Sequence, residues 1–170
     1  NDSRDWSEYY KWLDSILRKC EIVSSGPVLC FVSKPGMIEM IKIHAPWWIG
    51  QWTGCGANPA GPNNGIMFSP NYEPCLFYGN RYHIKACIPD VWHFPTEHER
   101  NGHPCPKPIK LITRLLNLLP CETTLDPFMG SGTTLVAAKQ LNRKAIGIEI
   151  EERYIEIAIK RLAQEVFDLQ

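Results

Sequence analysis

Asp126 and Glu149 are two acids placed to stand at the tips of successive β-strands, with a glycine-rich turn between them. The first strand is Thr123, Thr124 and Leu125, ending on Asp126; the second is Lys144 to Glu149, KAIGIE. The turn lies in Leu125–Thr134, LDPFMGSGTT, and the helix beginning near Gly132 carries Leu135, Val136, Ala137, Ala138 and Leu141. Gly130 and Gly132 allow close backbone approach and positive φ. The free amides of that helix start face past the strand end, with a dipole that favours a negative group such as a carboxylate. Two parallel strands with acidic tips and a glycine turn make a nucleotide-type pocket in an open α/β sheet. An acid at the second tip suits the two hydroxyls of a ribose.

Three pocket types compete for this turn. The dehydrogenase pattern G-x-G-x-x-G fails, because Leu135 stands at the third glycine position, and a P-loop fails because Thr133 follows Gly132 with no lysine. The nucleoside-binding turn of S-adenosylmethionine-dependent methyltransferases fits. The plain alternative is a strand–turn–helix with a glycine cap. The run DPFMGSGTT, then GIE ending on Glu149, then ERYIEIAIKR with Tyr154 and Arg161, resembles the DNA amino-methyltransferases, which methylate exocyclic amines of adenine or cytosine. His103-Pro104-Cys105-Pro106-Lys107-Pro108 resembles the H-P-x-x-K-P segment that precedes the cofactor turn in that family.

The resemblance implies S-adenosylmethionine as cofactor. Its site would be Asp126, Pro127, Phe128, Gly130, Ser131, Gly132, Thr133, Glu149 and Ile150, with His103 and Lys107 at the mouth. The backbone from Phe128 to Thr133 would cradle the methionine part, Asp126 would meet its ammonium, Glu149 its ribose, and Ile148 and Ile150 the adenine. Double-stranded DNA would be the partner, with the target base, adenine favoured over cytosine, flipped out to reach the methyl. Packing and a surface ion pair account for Tyr154 and Arg161.

The chain has 170 residues, 44% of them hydrophobic and 21% charged, which suits one globular α/β domain and excludes a disordered chain. No apolar run approaches the roughly 18 residues of a membrane span, and there is no signal-peptide pattern, so the expected setting is cytoplasmic. The 7 cysteines never form C-x-x-C and read as reduced packing residues. His98 and His103 lack partners at metal spacing, so no metal is expected. Lys and Arg number 18, as do Asp and Glu, leaving no electrostatic footprint for nucleic acid; the DNA expectation rests on the resemblance.

The elements that must position this turn follow from periodicity. Asp5 to Cys20 is an amphipathic helix whose apolar positions are Trp6, Tyr9, Tyr10, Leu13, Ile16, Leu17 and Cys20, its aromatic rings read as core. Val28 to Val32 is a strand buried on both faces, and Met37 to Ile43 a short helix. Trp47 to Trp52 and Glu73 to Gly79 are two strands paired antiparallel, separated by the long stretch Thr53 to Asn71. Asp90 to Pro95 is strand-like. A helix started by Pro108 carries Leu111, Ile112, Leu115, Leu116 and Leu119, and a last helix, Glu151 to Phe167, carries Tyr154, Ile155, Ala158, Ile159 and Leu162. The expected fold is a Rossmann-like methyltransferase α/β sheet, mostly parallel with an antiparallel hairpin at one edge and helices on both faces. Residues 1–100 would form its target-side half and 101–170 its cofactor half.

Strands resembling the catalytic half precede the cofactor turn, the permuted order of the family called the beta class. In that order the catalytic tetrapeptide, an acid, asparagine or serine followed by Pro-Pro and an aromatic, belongs ahead of Asn1, so no catalytic residue is assigned within the chain. Ser69-Pro70-Asn71-Tyr72 is rejected for it, because Asn71 replaces the second proline and the segment precedes a strand instead of following one. The expectation is therefore an N-terminally truncated piece lacking the central strand, of negligible activity, with the strands at Val28–Val32 and Thr123–Asp126 not paired as neighbours. A non-catalytic S-adenosylmethionine-binding remnant or partner subunit, and an RNA or small-molecule methyltransferase, are the alternatives.

Overall fold

The computed structural model describes residues 6–53, 72–81, 89–95, 107–119 and 121–163. The stretch Thr53 to Asn71 beyond its first residue, both His98 and His103, and the helix end after Ala163 lie outside them. The chain divides into two compact units, Asn1–His93 and Phe94–Gln170.

The first unit contains α1 (Trp6–Val23), β1 (Pro27–Phe31), α2 (Lys34–Ile43), β2 (Trp48–Thr53), β3 (Tyr72–Gly79) and β4 (Val91–His93). Its sheet has the order β1-β3-β2-β4. β3 runs antiparallel to β1 and β2, while β2 and β4 are parallel. The expected hairpin of β2 with β3 forms, and its reversed strand sits between β1 and β2. Central placement explains why Pro74, Cys75, Leu76 and Tyr78 of β3 are all buried. Gly50 in β2 faces the Trp92 ring of β4, where any Cβ would collide with the indole.

Tyr10, Leu13 and Leu17 of α1 pack with Val32, Met40, Leu76 and Tyr78. Trp6 and Tyr9 do not join them, being 64% and 38% exposed. At about 100° per residue, Tyr9 sits at the edge of the Tyr10–Leu13–Leu17 stripe, roughly 40° from Leu13, and Trp6 stands beyond the stripe's N-terminal end. The rings of Trp6, Tyr9 and Tyr10 pack on one another instead, with Tyr9 and Tyr10 centroids 5.2 Å apart. α2 starts earlier than its apolar pattern suggests, because Ser33 accepts the Gly36 amide at 3.1 Å and Pro35 is tolerated in a first turn. Asp14 binds Arg18 at 2.8 Å and His44 at 2.9 Å, and Glu21 accepts the Gly79 amide at 2.8 Å. These contacts tie α1 to the end of α2 and to β3.

The second unit contains α3 (Ile109–Asn117), β5 (Thr123–Asp126), α4 (Thr133–Gln140), β6 (Lys144–Gly147) and α5 (Glu152–Ala163). β5 and β6 are parallel, with Leu125 opposite Ile146 and Asp126 opposite Gly147. β1 takes its ladder from β3, and β5 takes its ladder from β6. Leu111, Ile112, Leu115 and Leu116 of α3 are buried, as are Val136, Ala137 and Ala138 of α4, and the two helices pack together. Arg143 donates to the carbonyls of Leu116 and Leu119, satisfying acceptors that a helix end leaves open. In α5 the core position is Ala158; Ile159, expected beside it, is 60% exposed. Among the described residues no helix is long and apolar enough to cross a membrane.

Candidate functional site

Groups of the second unit hold the glycine turn. Beyond the strands the ladder continues, since the Ile148 amide donates to Asp126 O at 2.9 Å and the Met129 amide to Ile148 O at 3.1 Å. Adjacent strands lie about 4.8 Å apart, so the zipped backbone fixes the spacing at which the tips of β5 and β6 emerge. Asp126 Oδ1 accepts the Phe128 amide at 3.0 Å, closing the first bend. The Gly132 amide donates to Met129 O at 2.8 Å, closing the second.

Gly130 and Gly132 both have positive φ, 51° and 81°. At Gly132 a second demand applies: an added Cβ would lie 2.8 Å from the Ala158 Cβ, so α5 packs directly under the turn. Gly147 has the same property toward Met129 and Leu135, which lie over β6 where a side chain would stand. Gly132 is also the N-cap of α4, and no side chain caps the helix start. Among the described residues, then, no side chain takes its first-turn amides.

Glu149 is used more fully than its place at a strand tip suggests. Its Oε1 accepts the amides of Ile150 at 2.8 Å and Glu151 at 2.9 Å, and its Oε2 accepts the Gly130 amide at 2.9 Å. A carboxylate oxygen carries two lone pairs, so Oε2 keeps one for a ligand hydroxyl. The residue thus holds the bend that leads into α5 and steadies the glycine turn.

The expected site residues Asp126, Pro127, Phe128, Gly130, Ser131, Gly132, Thr133 and Glu149 come together in this one turn. Phe128 is 50% exposed, Ile148 56% and Ile150 95%, so all three present apolar surface to solvent. Lys107 is half-buried just ahead of α3, and His103 lies outside the described residues. Arg161 departs from expectation. It does not serve a mere surface ion pair: half-buried, its Nη1 donates to Ser131 O at 2.7 Å, Ser131 Oγ at 3.1 Å and Thr133 Oγ1 at 3.3 Å. Ser131 and Thr133 are buried polar residues whose oxygens need such a donor. Met129, Gly147 and Ala158, which lie within the quoted runs but were given no part in the site, also shape the turn. Among the described residues, no group of three His, Cys, Asp or Glu side chains could hold a metal ion.

A profile of the DNA methylase family matches residues 80–160. The type II methyltransferase M.BglII of Bacillus subtilis is 42% identical over 216 aligned positions, covering 97% of this chain and 60% of that protein. M.ScaI of Streptomyces caespitosus is 40% identical over 92 residues, covering 47% of this chain and 30% of that protein. The chain spans less than two thirds of these curated relatives. Among solved structures, the M1.HpyAVI–SAM complex superposes with a TM-score of 0.70 at 26% identity, covering 92% of this chain and 84% of that one. The cytosine-N4-specific PvuII DNA methyltransferase gives a TM-score of 0.75 at 16% identity, covering 99% and 74%, a likeness of fold alone. The fold is the Rossmann-like α/β fold of these methyltransferases.

Proposed function

We propose that the chain, whose residues 80–160 match a profile of the DNA methylase family, binds S-adenosylmethionine at Asp126–Thr133 and serves methyl transfer to an exocyclic amine in double-stranded DNA. The observation that carries this reading is the pair of carboxylates, Asp126 and Glu149, on the tips of two zipped parallel strands with a left-handed glycine turn between them. The bound cofactor supplies the methyl group on its sulfonium. The residues of this chain bind and orient it.

The Phe128–Thr133 backbone cradles the methionine part, and the uncapped start of α4 meets its carboxylate. Asp126, held in place by the Phe128 amide, faces the ammonium. Glu149 offers its remaining Oε2 lone pair to a ribose hydroxyl. Ile148 and Ile150 border the adenine, whose faces favour apolar neighbours, and Lys107 stands at the mouth. The target base reaches the site flipped out of the duplex. The likenesses to M.BglII and to M1.HpyAVI in its SAM complex support the reading.

Isothermal titration with S-adenosylmethionine tests the pocket. Asp126→Ala is expected to weaken binding by roughly tenfold or more, as for loss of a charge-assisted contact; equal affinity in mutant and parent refutes the assignment. Transfer of labelled methyl groups to duplex DNA and to RNA of the same sequence tests the substrate. Label appearing in RNA alone would turn the reading to an RNA methyltransferase.

A further inference from the structure

In an α/β sheet, ligands gather outside the carboxyl ends of the parallel strands. In the first unit β1, β2 and β4 run in one direction and β3 runs against them, so Phe31, Thr53 and His93 end their strands where Tyr72 begins β3. Thr53 stands opposite both Tyr72 and His93, and such cross-strand partners point to the same face. Lys34, just after β1, sets its Nζ 3.9 Å from the centroid of the Tyr72 ring. Lys34, Tyr72, Thr53 and His93 therefore form one polar row across this end of the sheet. From Tyr72 to His93 the row covers two strand spacings, about 10 Å.

The two ends of the row differ in chemistry. Arg18 and Lys42 each meet a carboxylate at 2.8 Å. Lys34 lies over an aromatic ring instead, which holds the ammonium without cancelling its charge. At the other end, Thr53 Oγ1 is 3.3 Å from Trp92 O and 2.5 Å from His93 Nδ1. A carbonyl can only accept, so making both bonds sends the hydroxyl proton to Trp92 O and leaves Nδ1–H as the donor to Oγ1. Neutral His93 then carries its lone pair on Nε2 of an exposed side chain, an acceptor for an N–H group.

A held cation and an oriented acceptor on one row match the two parts of a nucleic-acid strand, since phosphate contacts fix position and base contacts carry identity. We propose that this row is a DNA-strand contact of the first unit, in which Lys34 meets a backbone phosphate and His93, oriented by Thr53, accepts from the amine of a base. A span of about 10 Å corresponds to roughly three nucleotides of one strand. The proposal rests on the DNA reading above and adds which residues make the contact and what each one reads. Adenine offers such an amine on its edge, and thymine does not.

The test is fluorescence anisotropy of the full chain with labelled oligodeoxyadenylate and oligothymidylate of equal length, over a range of salt, each variant being checked for native circular dichroism. The parent is expected to favour the adenine strand. Lys34→Gln should weaken both strands alike and lower the slope of log affinity against log salt by about 0.7, the share of one phosphate on a single strand. Lys34→Arg, which keeps the charge, should restore that slope. His93→Ala should keep the slope and lower the preference for adenine by about fivefold, the order of one hydrogen bond. Thr53→Val, which releases the imidazole, should lower the preference in the same direction, and it carries this arm if His93→Ala fails to fold. An unchanged slope in Lys34→Gln, or an unchanged preference in His93→Ala, overturns the proposal. A parent that binds S-adenosylmethionine but neither oligonucleotide overturns it as well and leaves the cofactor site standing. Failure of the cofactor site shows separately, as equal titration of S-adenosylmethionine by the parent and Asp126→Ala.

Discussion

In Asn1–His93 the buried Asp14 faces other ionisable side chains, Arg18 and His44, although Glu21 accepts a backbone amide. In Phe94–Gln170 such side chains face the backbone, as Asp126, Glu149, Arg143 and Arg161 do. The cores differ in the same sense. The first unit fills its interior with Tyr78, Met40 and Leu76, while the second brings elements together over Gly132, Gly147, Ala137, Ala138 and Ala158. Side chains bonded to side chains hold whole elements together. Side chains bonded to amides and carbonyls fix the path of a loop, which a ligand site made of backbone needs.

Substitutions can break this contrast, and the largest effect belongs to the turn. Gly132→Val combines a left-handed backbone with a collision against Ala158, and is expected to destabilise by about 3 kcal/mol in urea unfolding. A stability within experimental error of the parent would mean that the turn adapts. Next comes Glu149→Ala, which leaves three amides without their acceptor. It should cost about 2 kcal/mol and also weaken S-adenosylmethionine in titration, so a pure stability loss would separate the structural role from the proposed binding one. In the first unit, Asp14→Ala is expected to cost about 1 kcal/mol while leaving cofactor affinity unchanged.

The smallest effect, Tyr78→Phe, sharpens the comparison by pH. The Tyr78 hydroxyl is buried without a hydrogen-bond partner among the described residues. Burial first, then the nearby Cys30, Asp14 and Glu21, push its phenol well above the ordinary tyrosine value. The unfolded chain releases that proton from about pH 10, while the folded chain holds it, so stability falls as pH rises through that range. Tyr78→Phe should be within about 0.5 kcal/mol of the parent at pH 7, because no partner is lost, and should flatten the decline above pH 10. Parallel alkaline unfolding curves would place the effect elsewhere.

Much of the second unit was legible in the sequence. Thr123–Asp126 ends where its apolar and polar residues say it should, and both left-handed positions of the turn fall on glycine. Short-range chemistry governs such features, so residue types reveal them. The bond of the Gly130 amide to Glu149 and those of Arg161 were not legible, because they join residues far apart in sequence through geometry that the zipped strand tips and the packed α5 supply. An arginine late in an amphipathic helix looks solvated until the neighbouring loop is known. For the same reason, the helical period of α1 marked Trp6 and Tyr9 as apolar without revealing that the core ends at Tyr10. The hairpin of β2 and β3 was readable as a pairing, but the insertion of β3 beside β1 depends on long-range contacts.

The glycine turn has a consequence for how this sequence can drift. Its acceptors and donors are mostly main-chain atoms, and Phe128 projects into solvent. Position 128 can therefore change residue type with little effect on the path of the chain. Gly132 and Gly147 cannot, since the space a side chain would need is already taken by Ala158, Met129 and Leu135. Tolerance along this loop should alternate sharply between adjacent positions, and a saturation library would record it as narrow intolerant columns beside permissive ones.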